Sequence, residues 1–494
     1  MLTSLTAATA IHDLRSALQF LEQQAGQLIQ TQVEVDPHAE LAGVYRHVGA
    51  GGTVMRPTRT GPAMLFNTIK GHPGARVCIG LLAARKRVAL LLGSTPERLG
   101  FHLLEAVQHP IEPVLVPEGS APCQEVVHRA TDQGFDLRRL VPATTNTPED
   151  AGPFITMGLC YGADPETGQE DVTIHRLCVQ GPDTLSMYFT PGRHLDAFRI
   201  KAEQAGQPQP ISISIGLDPA VYLAACFEPP TTPLGFNELT IAGALRGRPV
   251  ELVQCLTVKA KALASAEIVI EGELMPDLRV AEDQNSGTGK AMPEFPGYNG
   301  PAHPSLPVIR VTAVTHRVNP IMQTCIGPSE EHVSLAGIPT EASILSMVNR
   351  ALPGFLKNVY AHPSGGGKLL AVLQVIKRIA PDEGRQRQAA LLAFAAFSEL
   401  KHVILVDDDV DPFDSNDVLW AMTTRFQADA DVIAIPGVRC HALDPSQFPG
   451  MSPSIRDRGI SCKTIFDCTV PVELRQKFQR AQFMDVDYER FLKG

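Results

Sequence analysis

The spacing of apolar positions changes character twice along the chain. In the first stretch Ile11, Leu14, Leu18 and Leu21 recur at helical spacing and predict an amphipathic helix. Thr95-Pro96-Glu97 predicts a helix start, with a capping hydroxyl and Pro at the first helical position. Short apolar runs at 63–66 and 113–116 read as strands. From about residue 150 strand-like segments dominate, at 155–161, 171–179, 185–190, 211–215, 251–256, 267–274 and 308–316. Helical stretches at 195–205 and 237–246 interrupt them. Such a strand-rich run predicts a barrel or sandwich core. Beyond about residue 330 a strand at 368–376, a helix at 386–397, a strand at 403–406, a helix at 416–426 and a strand at 431–435 alternate. That rhythm predicts βαβ units and a parallel sheet. A last helix is expected over 471–481.

The expected fold class is therefore multidomain α/β. A mixed α/β region spans 1–130, a barrel-like domain 131–330 and an α/β domain 331–470. A C-terminal helix and tail, 471–494, is a candidate subunit contact, so a homodimer or larger homo-oligomer is expected. At roughly 150 residues per domain, a length of 494 residues agrees with this division.

Composition narrows the function. Lys and Arg number 43 against 53 Asp and Glu, for a net charge of −10. That argues against nucleic acid, which needs a basic surface to displace counterions. No apolar run approaches the roughly 18 residues of a membrane span. The N-terminus lacks the basic segment and long apolar stretch of a secretory signal. Ten cysteines without a C-x-x-C pair suggest free buried thiols in a reduced, cytoplasmic protein.

Several motifs fail on inspection. Asp407-Asp408-Asp409-Val410-Asp411 would need Gly and Glu where Pro412 and Val418 stand to form a calcium loop. Gly365-Gly366-Gly367-Lys368 lacks the upstream Gly and the following Ser or Thr of a phosphate loop. Gly49-Ala50-Gly51-Gly52-Thr53 is not a dinucleotide fingerprint and reads as a turn needing positive φ.

Three stretches carry a resemblance. They are Asp171-Val172-Thr173-Ile174-His175-Arg176, then 237–247 (NELTIAGALRG), then Ile270-Glu271-Gly272-Glu273 through Ala281-Glu282-Asp283 to 292–298 (MPEFPGY). In order and spacing they resemble the UbiD family of reversible, non-oxidative decarboxylases that use prenylated FMN. Thr145-Asn146-Thr147-Pro148 and the segments 328–337, 365–368 and 460–469 are closest to the branch acting on protocatechuate and gallate.

The resemblance implies a split-barrel flavin-binding domain over 131–330. It implies that Asp171, His194 and Glu238 hold a divalent ion, usually Mn2+, against the flavin phosphate, with K+ as a further candidate. Thr173, Ile174, His175, Arg176 and Arg193 would touch the cofactor. Arg176, Glu282 and Glu294 would handle the proton, with Glu294 in the donor's position. Glu331, His332, Lys368 and His441 would line the ring end of the pocket, where a phenolic hydroxyl must be held. Without the resemblance, each residue has an ordinary structural role: a strand-edge turn for Asp171, a helix cap for His194, a first-turn carboxylate for Glu238, an exposed loop acid for Glu282, loop positions for His332 and His441, and a solvated strand start for Lys368. Asp171 and Arg176 are five apart, so a regular strand sends them to opposite faces. Both can face one ligand where the strand bulges or ends.

The expected activity is decarboxylation of protocatechuate to catechol, or of gallate to pyrogallol. The alternatives are another aromatic acid, such as 4-hydroxybenzoate, vanillate or a heteroaromatic carboxylate, and a non-catalytic cofactor-binding or assembly subunit. The expected partners are a small aromatic acid and a flavin prenyltransferase as cofactor supplier, with no nucleic acid and no membrane.

Overall fold

The computed structural model describes residues 10–190, 192–447, 450–452, 455 and 459–492. Residues 1–9, which open the segment expected to carry no signal, and 493–494, the end of the expected tail, lie outside the described residues.

The first helix, Leu14–Glu22, buries Leu14, Leu18 and Leu21. Asp13 caps it by accepting from Ser16 N–H at 2.8 Å, while the Ser16 hydroxyl accepts from Asp13 N–H at 3.1 Å. The Thr95-Pro96 start is a 3-10 turn, Pro96–Arg98, running into the helix Leu99–Gln108, and the Thr95 hydroxyl makes no cap bond. The N-terminal sheet has the order Leu28–Thr31, Ala63–Phe66, Arg76–Ile79, Ile321–Thr324. Its last strand comes from beyond the barrel and pairs parallel with Arg76–Ile79. That return interlocks the N-terminal layer with the centre of the molecule.

The central sheet holds, among the described residues, β1 (Val126–Arg129), β2 (Phe154–Ala163), β3 (Glu170–Val179), β4 (Thr184–Met187), β5 (Gln209–Ile215), β6 (Ile268–Val280) and β7 (Leu306–His316). Their order is β6-β5-β2-β3-β4-β7-β1, and pairing of β6 with β7 closes a ring of six. Closure leaves no edge within the ring to template aggregation. Alternation fills it: Ile211, Ile213 and Ile215 of β5 share one core cluster with Ile155, Leu177, Leu185, Ile268, Ile270 and Ile309. The segment expected as a strand at 251–256 forms Glu251–Gln254, outside the ring, between Val114–Leu115 and Lys261–Leu263.

The C-terminal sheet departs from the expected all-parallel form. Leu370–Val375, His402–Asp407 and Ile460–Cys468 are parallel, but the edges Leu356–Ala361 and Val432–Arg439 are antiparallel. Ile460–Cys468 escapes the apolar pattern because Ser, Lys and Asp alternate through it. The 22-residue helix Glu330–Ala351 also escapes, because Gly337 and Pro339 inside it read as breakers. The helix expected over 471–481 is instead a 3-10 segment, Val472–Phe478, with a short helix at Glu489–Leu492. No residue of Val472–Phe478 is buried, so no packed face rewards a regular helix.

The Gly49–Thr53 run is a turn with Gly51 at φ +57° and Gly52 at φ +59°. A Cβ on Gly52 would lie 2.6 Å from Pro328 O. Thr53 N–H donates to Pro328 O at 2.9 Å and Glu330 N–H to Ala50 O at 2.7 Å. The turn thereby seats the start of the Glu330–Ala351 helix, which carries His332 to the site.

No helix among the described residues is long and apolar enough to cross a membrane. All ten cysteines are unpaired, and all but the half-buried Cys226 and Cys462 are buried.

Candidate active site

A cavity of about 300 Å3 opens where the outside of the barrel meets the C-terminal layer. Strand β3 contributes Thr173, Ile174, His175 and Arg176 in succession, and the turn after β4 contributes Tyr188, Thr190 and Arg193. From the other side come His332, Lys368 and His441. The register with the neighbouring strand slips opposite Arg176, the last of the four β3 residues. Ile155 pairs with Leu177 but Gly158 pairs with His175, so β2 holds an extra residue beside Arg176. Between Asp171 and His175 the strand runs in regular register, and of Asp171 and Arg176 only Arg176 lines the cavity.

Arg176, Glu282 and Glu294 meet as one cluster. Arg176 Nε and Nη2 donate to the two Glu282 oxygens at 2.9 and 3.0 Å, and Nη1 donates to Glu294 Oε1. The guanidinium lies 4.4 Å from the Tyr188 ring centroid. Glu282 is 1% exposed, and its Oε2 also accepts from His303 N–H at 2.9 Å. Glu294 lines the cavity, whereas Glu282 does not. Burial raises the Glu294 carboxyl above its ordinary range; the Arg176 charge opposes this and the Glu282 charge adds to it. A carboxyl shifted upward beside a cavity is suited to handing over a proton there.

The opposite end is built on Phe295. His332 stacks on its ring, centroids 5.6 Å apart and planes 17° apart, and His441 meets it edge-on at 4.6 Å. Lys368 Nζ sits 5.7 Å above the same ring and 3.5 Å from His441 Nε2. Burial, then the Lys368 charge, pushes both histidines down to about 3, so they are neutral at ordinary pH. Gly366 has φ +63°, and a Cβ there would collide with the Phe295 ring. The glycine run 365–367 thus serves close packing under this platform.

Glu331 is placed elsewhere. Its carboxylate does not line the cavity but accepts from Gly80 and Leu82 N–H, both at 2.9 Å. A side chain next to His332 on a helix points about 100° away, so Glu331 ties the helix to the N-terminal layer instead. Burial pushes it up to about 7.

Asp171, His194 and Glu238 lie near one another, and none of them lines the cavity. His194 Nδ1 is 3.0 Å from Asp171 Oδ1. Glu238, just before the helix Leu239–Arg246, has a buried Oε2 with no hydrogen-bond partner. Burial and the Asp171 charge push Glu238 up to about 8. Two carboxylates pressed together with one oxygen orphaned suit a hard cation between them. Among the described residues no three His, Cys, Asp or Glu side chains stand at metal-ligating spacing. Arg193, beside His194, donates to Glu228 at 2.7 Å.

Sequence reasoning missed Tyr188, Glu228 and Phe295 in the lining, and Glu399, which lies 3.5 Å from Lys368. Phe295 had a signal, its place beside Glu294; the isolated acids Glu228 and Glu399 had none.

The sequence matches the three domains of one family along most of its length. Residues 19–107 match the 3-octaprenyl-4-hydroxybenzoate carboxy-lyase N-terminal domain, 114–330 its Rift-related domain and 333–468 its C-terminal domain. The chain is 56% identical over 484 residues to the gallate decarboxylase of Lactiplantibacillus plantarum, covering 97% of this chain and 99% of that one. It is 62% identical to the apo 3,4-dihydroxybenzoic acid decarboxylase structure from Enterobacter cloacae, with a TM-score of 0.94 over 97% of this chain and 99% of that one. It is 35% identical to an evolved dimeric form of HmfF from Pelotomaculum thermopropionicum in complex with prFMN, with a TM-score of 0.81 over 98% of this chain and 99% of that one. With the arginine–carboxylate cluster, the split barrel and these matches in agreement, the chain belongs to the UbiD family of carboxy-lyases.

Proposed function

We propose that the chain decarboxylates hydroxylated benzoates, 3,4-dihydroxybenzoate or gallate, without net oxidation, yielding catechol or pyrogallol and CO2. The observation that carries this reading is a single cavity lined both by Glu294, held by Arg176, and by Lys368, His332 and His441. The identity to enzymes named for these two substrates supports the same reading.

Prenylated FMN, when bound, supplies the electrophilic centre that activates the ring carbon bearing the carboxylate. Thr173, Ile174, His175 and Arg176 are the β3 residues that would hold it, with Arg193 near its phosphate. Asp171, His194 and Glu238 would hold a divalent ion, Mn2+ by ligand type, against that phosphate, with K+ as a further ion of the site. Glu294 gives its proton to the ring carbon that has lost CO2. Arg176 then faces the newly charged Glu294 carboxylate and stabilises it until a proton returns. Lys368 and His441 donate to the phenolic oxygens, and the Phe295 face packs against the ring. In the reverse direction the Glu294 carboxylate takes the ring proton, by microscopic reversibility.

Ten free cysteines support a reduced, cytoplasmic setting. The exposed Phe483, Met484, Phe491 and Leu492 of the tail support a homo-oligomer.

The test is product analysis on protein made together with a flavin prenyltransferase and offered 3,4-dihydroxybenzoate, gallate, 4-hydroxybenzoate and vanillate. Catechol and pyrogallol are expected to accumulate with equimolar CO2. Turnover confined to the monohydroxylated acids overturns the substrate assignment. Flavin-loaded protein that releases no CO2 from any of the four marks an assembly subunit.

A further inference from the structure

Glu399 stands behind the ring-binding end without lining the cavity. Its Oε2 is 3.5 Å from Lys368 Nζ and 3.4 Å from His441 Nε2, and its Oε1 is 3.5 Å from Arg193 Nη2. The His441 tautomer follows from its other nitrogen. Leu443 N–H donates to His441 Nδ1 at 3.0 Å, so Nδ1 is bare and Nε2 carries the proton. Lys368 has no acceptor lone pair and His441 Nε2 offers none, so neither can satisfy the other. Glu399 Oε2 is the acceptor that both face. At these distances the contacts are longer than hydrogen bonds, charge–charge with Lys368 and charge–dipole with the neutral His441, and Oε2, buried, makes no hydrogen bond among the described residues.

The chain around Glu399 is itself clamped. Lys463, 2% exposed, donates to Ser398 O at 2.8 Å and also to Leu400 O, so it grips the backbone on either side. Cys440 Sγ donates to Glu399 O at 3.5 Å, and Cys440 directly precedes His441. A loop carboxylate fixed on both flanks by a buried lysine, and aimed at two pocket donors, is more than a solvated acid.

We propose that Glu399 is a positioning residue for the hydroxybenzoate ring, holding Lys368 so that its remaining N–H bonds reach the phenolic oxygens. Its carboxylate faces the Lys368 ammonium and the His441 Nε2–H, which fixes both side chains, and Arg193 ties it to the cofactor side. Against the cost of burial, the charges of Lys368 and Arg193 hold Glu399 ionised, down to about 2, which is the state this role requires. The proposal rests on the hydroxybenzoate reading above.

The experiment is a double-mutant cycle on flavin-loaded protein with 3,4-dihydroxybenzoate, using Glu399→Gln, Lys368→Ala and the pair, with Glu399→Asp as the conservative variant. Glu399→Gln is expected to lower kcat/KM by about 10- to 100-fold, largely through KM, with flavin absorbance unchanged. Glu399→Asp is expected to restore part of the loss. The pair is expected to be no worse than Lys368→Ala alone, because Glu399 acts through that lysine. Wild-type kinetics in Glu399→Gln, or losses that multiply in the pair, overturn the proposal. If Glu399→Gln does not fold, Glu399→Asp alone and paired with Lys368→Ala is judged by the same criterion. Absence of wild-type turnover on both 3,4-dihydroxybenzoate and gallate removes the functional reading and this role together; turnover with an indifferent Glu399 removes this role alone.

Discussion

Arg176 engages Glu282 through two nitrogens, at 2.9 and 3.0 Å, and turns Nη1 to Glu294. The two acids are held differently. Glu282 spends both oxygens on the guanidinium and one again on His303 N–H, so it anchors the arginine. Glu294 is singly held and lines the cavity, as the donor role proposed for it requires.

Glu294→Gln keeps the shape and removes the acid. A positioned acid contributes roughly 10²–10⁴-fold, and net turnover should fall by that much with flavin loading intact. Exchange of the ring proton of catechol with deuterated solvent should fall in parallel, since it uses the same transfer. Retained exchange in Glu294→Gln, together with its loss in Glu282→Gln, would reverse the two roles.

Glu238→Gln replaces the ionisable carboxyl whose Oε2 is buried without a hydrogen-bond partner beside Asp171. Divalent-ion content and flavin absorbance should drop together, because on the proposed reading the ion would link the protein to the phosphate. Metal analysis on purified protein checks this, and full retention of both would take Glu238 out of the ligand set.

Gly366→Ala tests the Phe295 platform. The new Cβ meets the Phe295 ring, at a φ of +63° that side chains rarely adopt. Stability should fall by about 1–3 kcal/mol, and KM for hydroxybenzoates should rise as the His332 stack shifts. Gly384→Ala is the control: φ is +87° with nothing within 4 Å of the added atom. Its KM should stay at the wild-type value, and an equal rise in both variants would disconnect Gly366 from the pocket.

His175 sets a pH dependence of stability. Its Nδ1–H donates to Tyr188 O at 2.9 Å, its Nε2 is buried without a partner, and burial lowers it from 6.5 to about 4. A depressed value means the unfolded chain binds the proton first. The contribution is therefore full above about pH 6.5 and is lost as pH falls toward about 4. His175→Asn keeps a donor for Tyr188 O and cannot titrate. In chemical denaturation of the flavin-free chain, the wild type should lose about 2 kcal/mol more than this variant between pH 6.5 and 5. Parallel curves would show that the imidazole titrates normally in the fold.

The sequence alone was enough for the elements whose signal is local. The β5 isoleucines alternate, so Gln209–Ile215 was legible as a barrel strand from 211–215. The order and spacing of Asp171–Arg176, Asn237–Gly247 and 270–298 carried the family, and with it the identity of Arg176, Glu282 and Glu294. What tertiary structure decided is relational. Arg176 and Glu282 are 106 residues apart, and which acid would be gripped by two nitrogens depended on how β3 meets the loop after β6. Glu331 and His332 are neighbours in sequence, yet helical geometry sends one to the Gly80 and Leu82 amides and the other to the cavity. Glu399 had no distinguishing neighbours in the chain; it gains its place because Lys463, from a strand 63 residues on, clamps Leu400, while Lys368 and His441 converge on its carboxylate. Local periodicity records which face of an element is buried; it does not record which distant charge will lie opposite, because that is set by how the elements pack.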